Sequence, residues 1–268
     1  MNVPTSRTED LDIVIVGAGI AGIGAAKYIT EAFPDKRVAI LEGRENIGGT
    51  WDLFKYPGIR SDNGLHTYGY EFKPWTDPDA IAEAPKILKY LQETVDEYDL
   101  GRLIRFEHGV RHASWSSADA RWTLDVRTPD GERRITTKWI FAGTGYYRYD
   151  EGYTPHFEGR EDFRGDIIHP QHWPEDYDYA GKRVVVIGSG ATAVTLIPSM
   201  LNHDGAAAHV TMLQRTPTYV VPWPKVDTSA LLFFRLFGEK RGYAVTRFAS
   251  IWAERGQVKF IRAFPKAA

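Results

Sequence analysis

The chain holds 268 residues, 43% of them hydrophobic and 25% charged, and its 33 lysines and arginines against 35 aspartates and glutamates leave a formal net charge of -2. Such a chain can fold as one large domain or two modest ones around a sizeable core, and its basic residues are not pooled into the stripe that nucleic acid would need. The absence of cysteine excludes disulfides, Cys-ligated metal centres, thiol nucleophiles and electron relay through a cysteine pair, and no metal site is expected.

The first ten residues are polar, with no apolar run behind a basic start, so no secretory leader is read there and the cytoplasm is the expected compartment. Residues 13–26 are the most apolar stretch, but they are too short and too rich in glycine and alanine for a membrane span, which takes about twenty strongly apolar residues. Within them, the β-branched run 11–16 leads into Gly17-Ala18-Gly19-Ile20-Ala21-Gly22, residues 23–33 read as a helix, and 37–41 read as a second strand ending at Glu42. In such a unit the first glycine permits a tight turn, the second lets the backbone approach a pyrophosphate, and the third allows close helix–strand packing. The amides at the helix start hold the phosphates, and a carboxylate at the end of the second strand accepts hydrogen bonds from the ribose hydroxyls of an adenosine. Glycine clusters alone are weak evidence; here strand, fingerprint, helix, strand and acid arrive in order.

After Glu42 comes a glycine-rich turn, Asn46-Ile47-Gly48-Gly49-Thr50-Trp51, and then Tyr56-Pro57-Gly58-Ile59-Arg60-Ser61-Asp62. Paired glycines let backbone amides approach the heteroatoms of a planar cofactor, and a nearby aspartate can orient a cation or handle a proton; taken alone, the loop would read as a turn with surface charge. Residues 80–98 have a helical pattern whose regular part begins at Pro85. Residues 121–127 and 134–141 alternate, with Thr128-Pro129-Asp130-Gly131 as the turn of a hairpin or meander. The exit Ala142-Gly143-Thr144-Gly145 is expected to bring that second strand back into the parallel sheet, beside the phosphates.

Residues 146–180 are rich in aromatics, prolines and acids, have no clear period, and read as a connecting segment. A second strand–glycine–helix unit follows: a strand at 183–187, then Gly188-Ser189-Gly190-Ala191-Thr192-Ala193, with alanine in the third glycine's place, and a strand at 210–213. Where Glu42 stood, this unit has Gln214, followed by Arg215 and Thr216, which tolerate or attract a 2′-phosphate that a carboxylate would repel. The second nucleotide is therefore expected to be NADPH, and two cradles of opposite charge preference on one chain suggest hydride transfer from a nicotinamide to a flavin. The fold class expected is α/β, with two dinucleotide-binding, Rossmann-like domains, the second incomplete because only two parallel strands are visible in it. Residues 231–264 mix Phe, Leu, Ile and Trp with Arg and Lys at helical spacing, with a break at Gly238 and Gly242. Their apolar face is expected to pack against further protein; left bare, it would invite self-association or adsorption to a membrane surface.

The segment Phe163-Arg164-Gly165-Asp166-Ile167-Ile168-His169-Pro170-Gln171-His172-Trp173-Pro174 matches FxGxxxHxxxWP, a pattern that resembles the fingerprint of Baeyer–Villiger monooxygenases. Gly48 through Trp51, Lys55 through Asp62, and Glu71-Phe72-Lys73-Pro74-Trp75 look most like their ethionamide-activating subgroup, from which Asn63-Gly64-Leu65 departs locally. The similarity runs to about Pro224 and is diffuse beyond it.

The resemblance implies that Gly17, Gly19, Gly22, Glu42, Gly49, Thr50, Trp51, Asp62 and Val110 contact FAD, and that Gly188, Gly190, Thr192, Arg215 and Thr216 hold NADPH. It makes Asp62 the catalytic aspartate, paired in the family with an arginine well downstream of the NADPH fingerprint that this chain does not reach. The fingerprint residues Phe163, Gly165, His169, Trp173 and Pro174 would position the cofactor domains, with His169 coupling the connecting segment to them, while His172 reads as a hydrogen-bonded loop histidine. On this basis residues 1–145 form an FAD-binding domain, 146–180 a linker, and 181–268 the start of an NADPH-binding domain with a helical tail. The implied chemistry is reduction of FAD by NADPH, addition of O2 to give a peroxyflavin, and insertion of one oxygen atom into a ketone or oxygenation of a sulfur compound. The expected product is a truncated enzyme; a non-catalytic nucleotide-binding fragment and an N-hydroxylating monooxygenase are the alternatives, the Trp173-Pro174 ending weighing against the last.

Overall fold

The computed structural model describes residues 8–201, 203–217, 220 and 224–264; the first seven residues, on which most of the leaderless start was read, lie outside them. The elements run β1 (Glu9–Val16), α1 (Ile20–Ala32), β2 (Val38–Leu41), α2 (Thr50–Leu53), α3 (Leu65–Tyr68), α4 (Ala84–Glu97), β3 (Ile104–Arg105), β4 (Gly109–Ser116), β5 (Arg121–Thr128), β6 (Gly131–Ala142), β7 (Arg183–Ile187), α5 (Ala191–Ser199), β8 (His209–Leu213) and α6 (Thr228–Ala263). By its contacts the chain divides into two compact units, one made of Met1–Tyr56 with Ile87–Tyr177 and the other of Pro57–Lys86 with Asp178–Ala268. Among the described residues no helix is long and apolar enough to cross a membrane.

The first unit is organised by a six-stranded sheet in the order β3-β2-β1-β6-β5-β4. β1 pairs in parallel with β2, from Ile13↔Val38 to Val16↔Leu41, and on its other edge in parallel with β6, from Glu9↔Ile135 to Val16↔Ala142. β6 is also antiparallel to β5, through Trp122↔Thr137 to Thr128↔Gly131. This twelve-residue strand thus joins a parallel, helix-connected half to an antiparallel meander, and its far end rejoins the parallel sheet as its sequence pattern led one to expect. The core lies where the halves meet: Leu11, Val14, Ala39, Leu41, Leu124, Val126 and Ile135 are buried together, with Val16, Val110 and Ile140 packed against them. Pro85 stands in the first turn of α4, where its missing N–H costs nothing, and Ile87, Leu91 and Val95 line the helix's buried face.

In the second unit β7 and β8 are parallel, from Arg183↔His209 to Ile187↔Leu213, with α5 between them in sequence. Ala193, Leu196 and Met200 are buried, whereas Val185, Ile187, Met212 and Leu213 are exposed. A parallel sheet is ordinarily covered on both faces; here one strand face lies open. α6 starts at an Asp227 cap, whose carboxylate accepts from the amides of Ser229 and Ala230 at 3.0 Å each. Gly238 does break the helix, with φ 73° and ψ 174°. The second expected break is corrected: Gly242 is helical and buried, and it is glycine because a Cβ there would lie 2.7 Å from the Phe234 Cα. Beyond it, the Tyr243 hydroxyl donates to the Tyr70 carbonyl at 2.9 Å, and Arg247 Nη1 donates to the carbonyls of His66, Thr67 and Gly69 at 3.1, 2.8 and 2.9 Å. α6 is thereby fastened over α3.

Candidate nucleotide-binding sites

β1 ends at Val16 and the chain turns at Gly17, whose φ of 99° lies outside the range of L side chains. The Gly17 amide donates to the Leu41 carbonyl at 2.8 Å, fixing the turn to the end of β2. A Cβ on Gly17 would sit 2.6 Å from the Gly143 carbonyl oxygen, and one on Gly22 would sit 1.9 Å from the Gly17 oxygen. The returning end of β6 and the first turn of α1 therefore close on this turn as tightly as glycine allows. α1 begins at Gly19 with no side-chain cap and no acid in its first turn, which leaves its end as a positive pole for phosphate.

Glu42 lies at the same place. It is buried, and Oε2 accepts from the Ala18 amide at 2.7 Å while Oε1 accepts from the Arg44 amide at 3.0 Å. A carboxylate that accepts from two amides keeps lone pairs for further donors. Gly43 faces Gly109 closely, a Cβ on the former meeting the latter's Cα at 3.6 Å, and the His108 amide donates to the Glu42 carbonyl at 2.8 Å. Val110, one residue on and half-buried, is thus near the acid.

The Gly48–Thr50 turn packs on the fingerprint. Gly48 and Gly49 have φ of 109° and 56°, the Gly48 amide donates to the Ala18 carbonyl at 3.0 Å, and a Cβ on Gly49 would come within 3.1 Å of the Gly19 Cα. Thr50 and Trp51 open the short helix α2 from that point. Three side chains that sequence reasoning left unassigned hold the turn: Arg44 Nη1 donates to the Gly49 carbonyl at 3.2 Å, its Nη2 pairs closely with Asp52, and its guanidinium lies 5.7 Å from the centre of the Tyr149 ring. Burial, then the Glu42 carboxylate, pushes the Tyr149 phenol up. Asp62 belongs to the second unit, exposed beside the buried Ser61.

The fingerprint segment is irregular apart from two short 3-10 turns, Arg160–Asp162 and Pro170–His172. His169 caps the second of these, its Nδ1 accepting from the Gln171 amide at 3.2 Å. Its ring packs flat against Gly152, where a Cβ would meet it at 2.2 Å. The buried Gln171 donates to the carbonyls of Arg148 and Tyr149 at 2.5 and 3.4 Å. Gly165 accommodates the Phe163 ring, and Trp173 meets Tyr177 edge-on at 5.8 Å, with the Tyr177 amide donating to the Pro174 carbonyl at 3.1 Å. His172 is exposed.

In the second unit the turn repeats. Gly188 has φ 128° and its amide donates to the Leu213 carbonyl at 2.8 Å, and Gly190 caps α5 without a side-chain bond. Thr192 is half-buried in the first turn of α5, and Gln214, Arg215 and Thr216 are exposed. The Ser189 hydroxyl donates to the Thr216 carbonyl at 3.4 Å, which sets the segment after β8 beside the glycine turn. No cluster of acids and histidines suited to a metal occurs among the described residues.

A family model described as an NAD(P)-binding Rossmann-like domain matches residues 15–77. The FAD-containing monooxygenase EthA of Mycolicibacterium smegmatis is 51% identical over 258 residues, 96% of this chain and 52% of that protein. Among solved structures, an oxidised steroid monooxygenase bound to NADP superimposes with a TM-score of 0.73 at 32% identity, covering 88% of this chain and 44% of the other. A cyclohexanone-bound cyclohexanone monooxygenase gives a TM-score of 0.73 at 29% identity over 86% and 44%. The chain spans about half the length of the curated relatives it matches. Over that half it is similar to proteins named FAD-containing monooxygenases and to solved steroid and cyclohexanone monooxygenases.

Proposed function

We propose that the chain binds FAD in its first unit and NADPH at the second glycine turn, as part of a monooxygenase that inserts one oxygen atom of O2 into ketones or oxygenates sulfur compounds. The observation that carries this reading is one turn geometry used twice with opposite charge beside it: buried Glu42 on the Ala18 amide at 2.7 Å, and exposed Arg215 next to Thr216, whose carbonyl meets Ser189. The first cradle fits a dinucleotide, since Gly17 and Gly22 let β6 and α1 close on the turn where a Cβ would strike backbone and the α1 terminus has no side-chain cap of its own. FAD, when bound, supplies the acceptor for hydride and the centre that activates oxygen.

The residues of the chain do the holding. The α1 amides, with Gly17, Gly19 and Gly22, take the pyrophosphate; Glu42 takes the ribose; Val110 flanks the adenine; Gly49, Thr50 and Trp51 face the ring system. Gly188, Gly190 and Thr192 take the second pyrophosphate, and Arg215 and Thr216 the 2′-phosphate. Asp62 would orient a cation that steadies the negative charge developing during oxygen transfer. Phe163, Gly165, His169, Trp173 and Pro174 brace the connecting segment. The reading puts the protein in the cytoplasm with a small-molecule substrate. The exposed Leu236 and Trp252 of α6 support its adsorption to membrane surfaces, which co-sedimentation with vesicles would detect.

Purification with added FAD tests the reading. A yellow protein that oxidises NADPH and consumes O2 faster when a cyclic ketone or thioether is supplied supports it. A yellow but inert protein supports a nucleotide-binding fragment, an amine-dependent product without lactone supports N-hydroxylation, and a colourless protein overturns the FAD assignment.

A further inference from the structure

The dinucleotide fingerprint assigns no role to a guanidinium two residues after its acid, yet Arg44 joins several groups of the first site. Its own amide donates to Glu42 Oε1 at 3.0 Å. Its guanidinium donates to the Gly49 carbonyl at 3.2 Å, pairs with the largely buried Asp52 carboxylate, and lies over the Tyr149 ring at 5.7 Å. The Gly49 carbonyl already accepts from the Leu53 amide at 2.9 Å as α2 opens, so the guanidinium is a further donor that ties this turn to Asp52 and Tyr149. Tyr149 is tied to the fingerprint in turn, because Gln171 donates to the carbonyls of Arg148 and Tyr149 while the His169 ring covers Gly152. One uninterrupted path of polar and packing contacts therefore runs from the ribose acid through Arg44 and Tyr149 to Gln171 and His169.

We infer that Arg44 is a positioning residue that couples occupancy of the first nucleotide cradle to the ordering of the fingerprint segment, a statement that rests on the FAD reading. A ligand that draws Glu42 and the Gly48–Thr50 turn into place fixes Arg44, and Arg44 fixes Tyr149. By reciprocity, ordering of the segment raises affinity for the ligand by the same factor. Asp52 retains Lys55 at 3.5 Å when Arg44 is removed, so loss of the guanidinium loosens the tie without leaving that carboxylate unpaired.

The experiment uses the full chain. FAD affinity is read from flavin fluorescence, and segment order from the rate of tryptic cleavage at the exposed Arg160 and Arg164 with and without saturating FAD. In the wild type FAD slows cleavage. Arg44→Met weakens FAD about tenfold, the equivalent of one charge-assisted hydrogen bond, and abolishes the protection even at saturation. Tyr149→Leu does the same from the other end of the tie, Tyr149→Phe, which keeps the ring, restores both, and the Arg44→Met/Tyr149→Leu double variant is no worse than either single one. Unchanged affinity and protection in Arg44→Met, or losses that add in the double variant, overturn the coupling. Should Arg44→Met fail to fold, the contrast between Tyr149→Leu and Tyr149→Phe decides it alone. A wild type that takes up no FAD overturns the FAD reading itself, a result distinct from a wild type that binds and variants that bind equally well.

Discussion

At Gly17 and at Gly188 the chain makes the same turn. Each glycine has positive φ, each amide donates to a leucine carbonyl at the end of the following strand at 2.8 Å, and each helix starts from a glycine with ψ of -175°. A Cβ on Gly17 would strike the Gly143 carbonyl just past the returning strand, whereas a Cβ on Gly188 or Gly190 would meet nothing within 4 Å among the described residues. The strands leading in differ likewise: Val14 and Ile15 are fully buried, while Val185 and Ile187 are exposed. The turn is thus a local product of strand, glycine and helix, and it forms without a closed surround. Rigidity and the choice of ligand come from what is folded back against it.

The sharpest way to break this comparison is to add one methyl group to each turn. Gly17→Ala drives a Cβ to 2.6 Å from the Gly143 oxygen and is expected to cost about 4 kcal/mol or more, while Gly188→Ala, whose Cβ meets nothing within 4 Å among the described residues and is disfavoured only by its positive φ, should cost about 1–3 kcal/mol in urea denaturation. Equal losses would show that both turns are crowded. Next in size is Glu42→Ala, which strands the Ala18 and Arg44 amides and should cost about 1–3 kcal/mol along with FAD binding. Its counterpart Arg215→Glu, at an exposed site, should leave the melting temperature alone and reverse the preference for NADPH over NADH in a binding titration. A loss of stability in Arg215→Glu would mean that the arginine is structural.

The smallest effect separates the units by pH. Burial, opposed by Asp227, holds the His66 imidazole below its usual value, so the unfolded chain takes up a proton first. The stability this histidine contributes is full above the unfolded value, about 6.5, and is lost as pH falls from there towards its folded value. In the first unit Glu9, through its bond to Arg105, and Asp10, through Thr136, sit below the usual carboxylate range. Their contribution persists until pH drops through the acid range. His66→Leu should flatten the stability profile just below neutrality without altering the acid limb; an unchanged profile would remove His66 from that role.

The glycine turns, the hairpin of β5 and β6 and the helical stretches were legible because each is written in adjacent residues. β4 was not, since most of its positions are exposed and Gly109 through Ser116 show no alternation for a reader to find. The Arg44 tie was hidden for another reason: its partners Asp52 and Tyr149 have no fixed spacing from it, and only the returning chain brings the ring over the guanidinium. His66 looked like any polar residue between Leu65 and Thr67; the covering by α6 that buries it comes from far along the chain. Gly242 was read as a helix breaker although its task is to admit Phe234.

β1 pairs on one side with β2, close by in sequence, and on the other with β6, whose residues follow more than a hundred positions later. During synthesis the first strand therefore leaves the ribosome with one edge satisfied and the other bare. At roughly 5–20 residues per second the wait for its second neighbour lasts on the order of ten seconds, long enough for an open, apolar strand edge to find another nascent chain. The strand that completes the first unit's sheet is thus also the one that ends its exposure to aggregation, and chaperone dependence of this chain should fall once Ala142 has emerged from the ribosome.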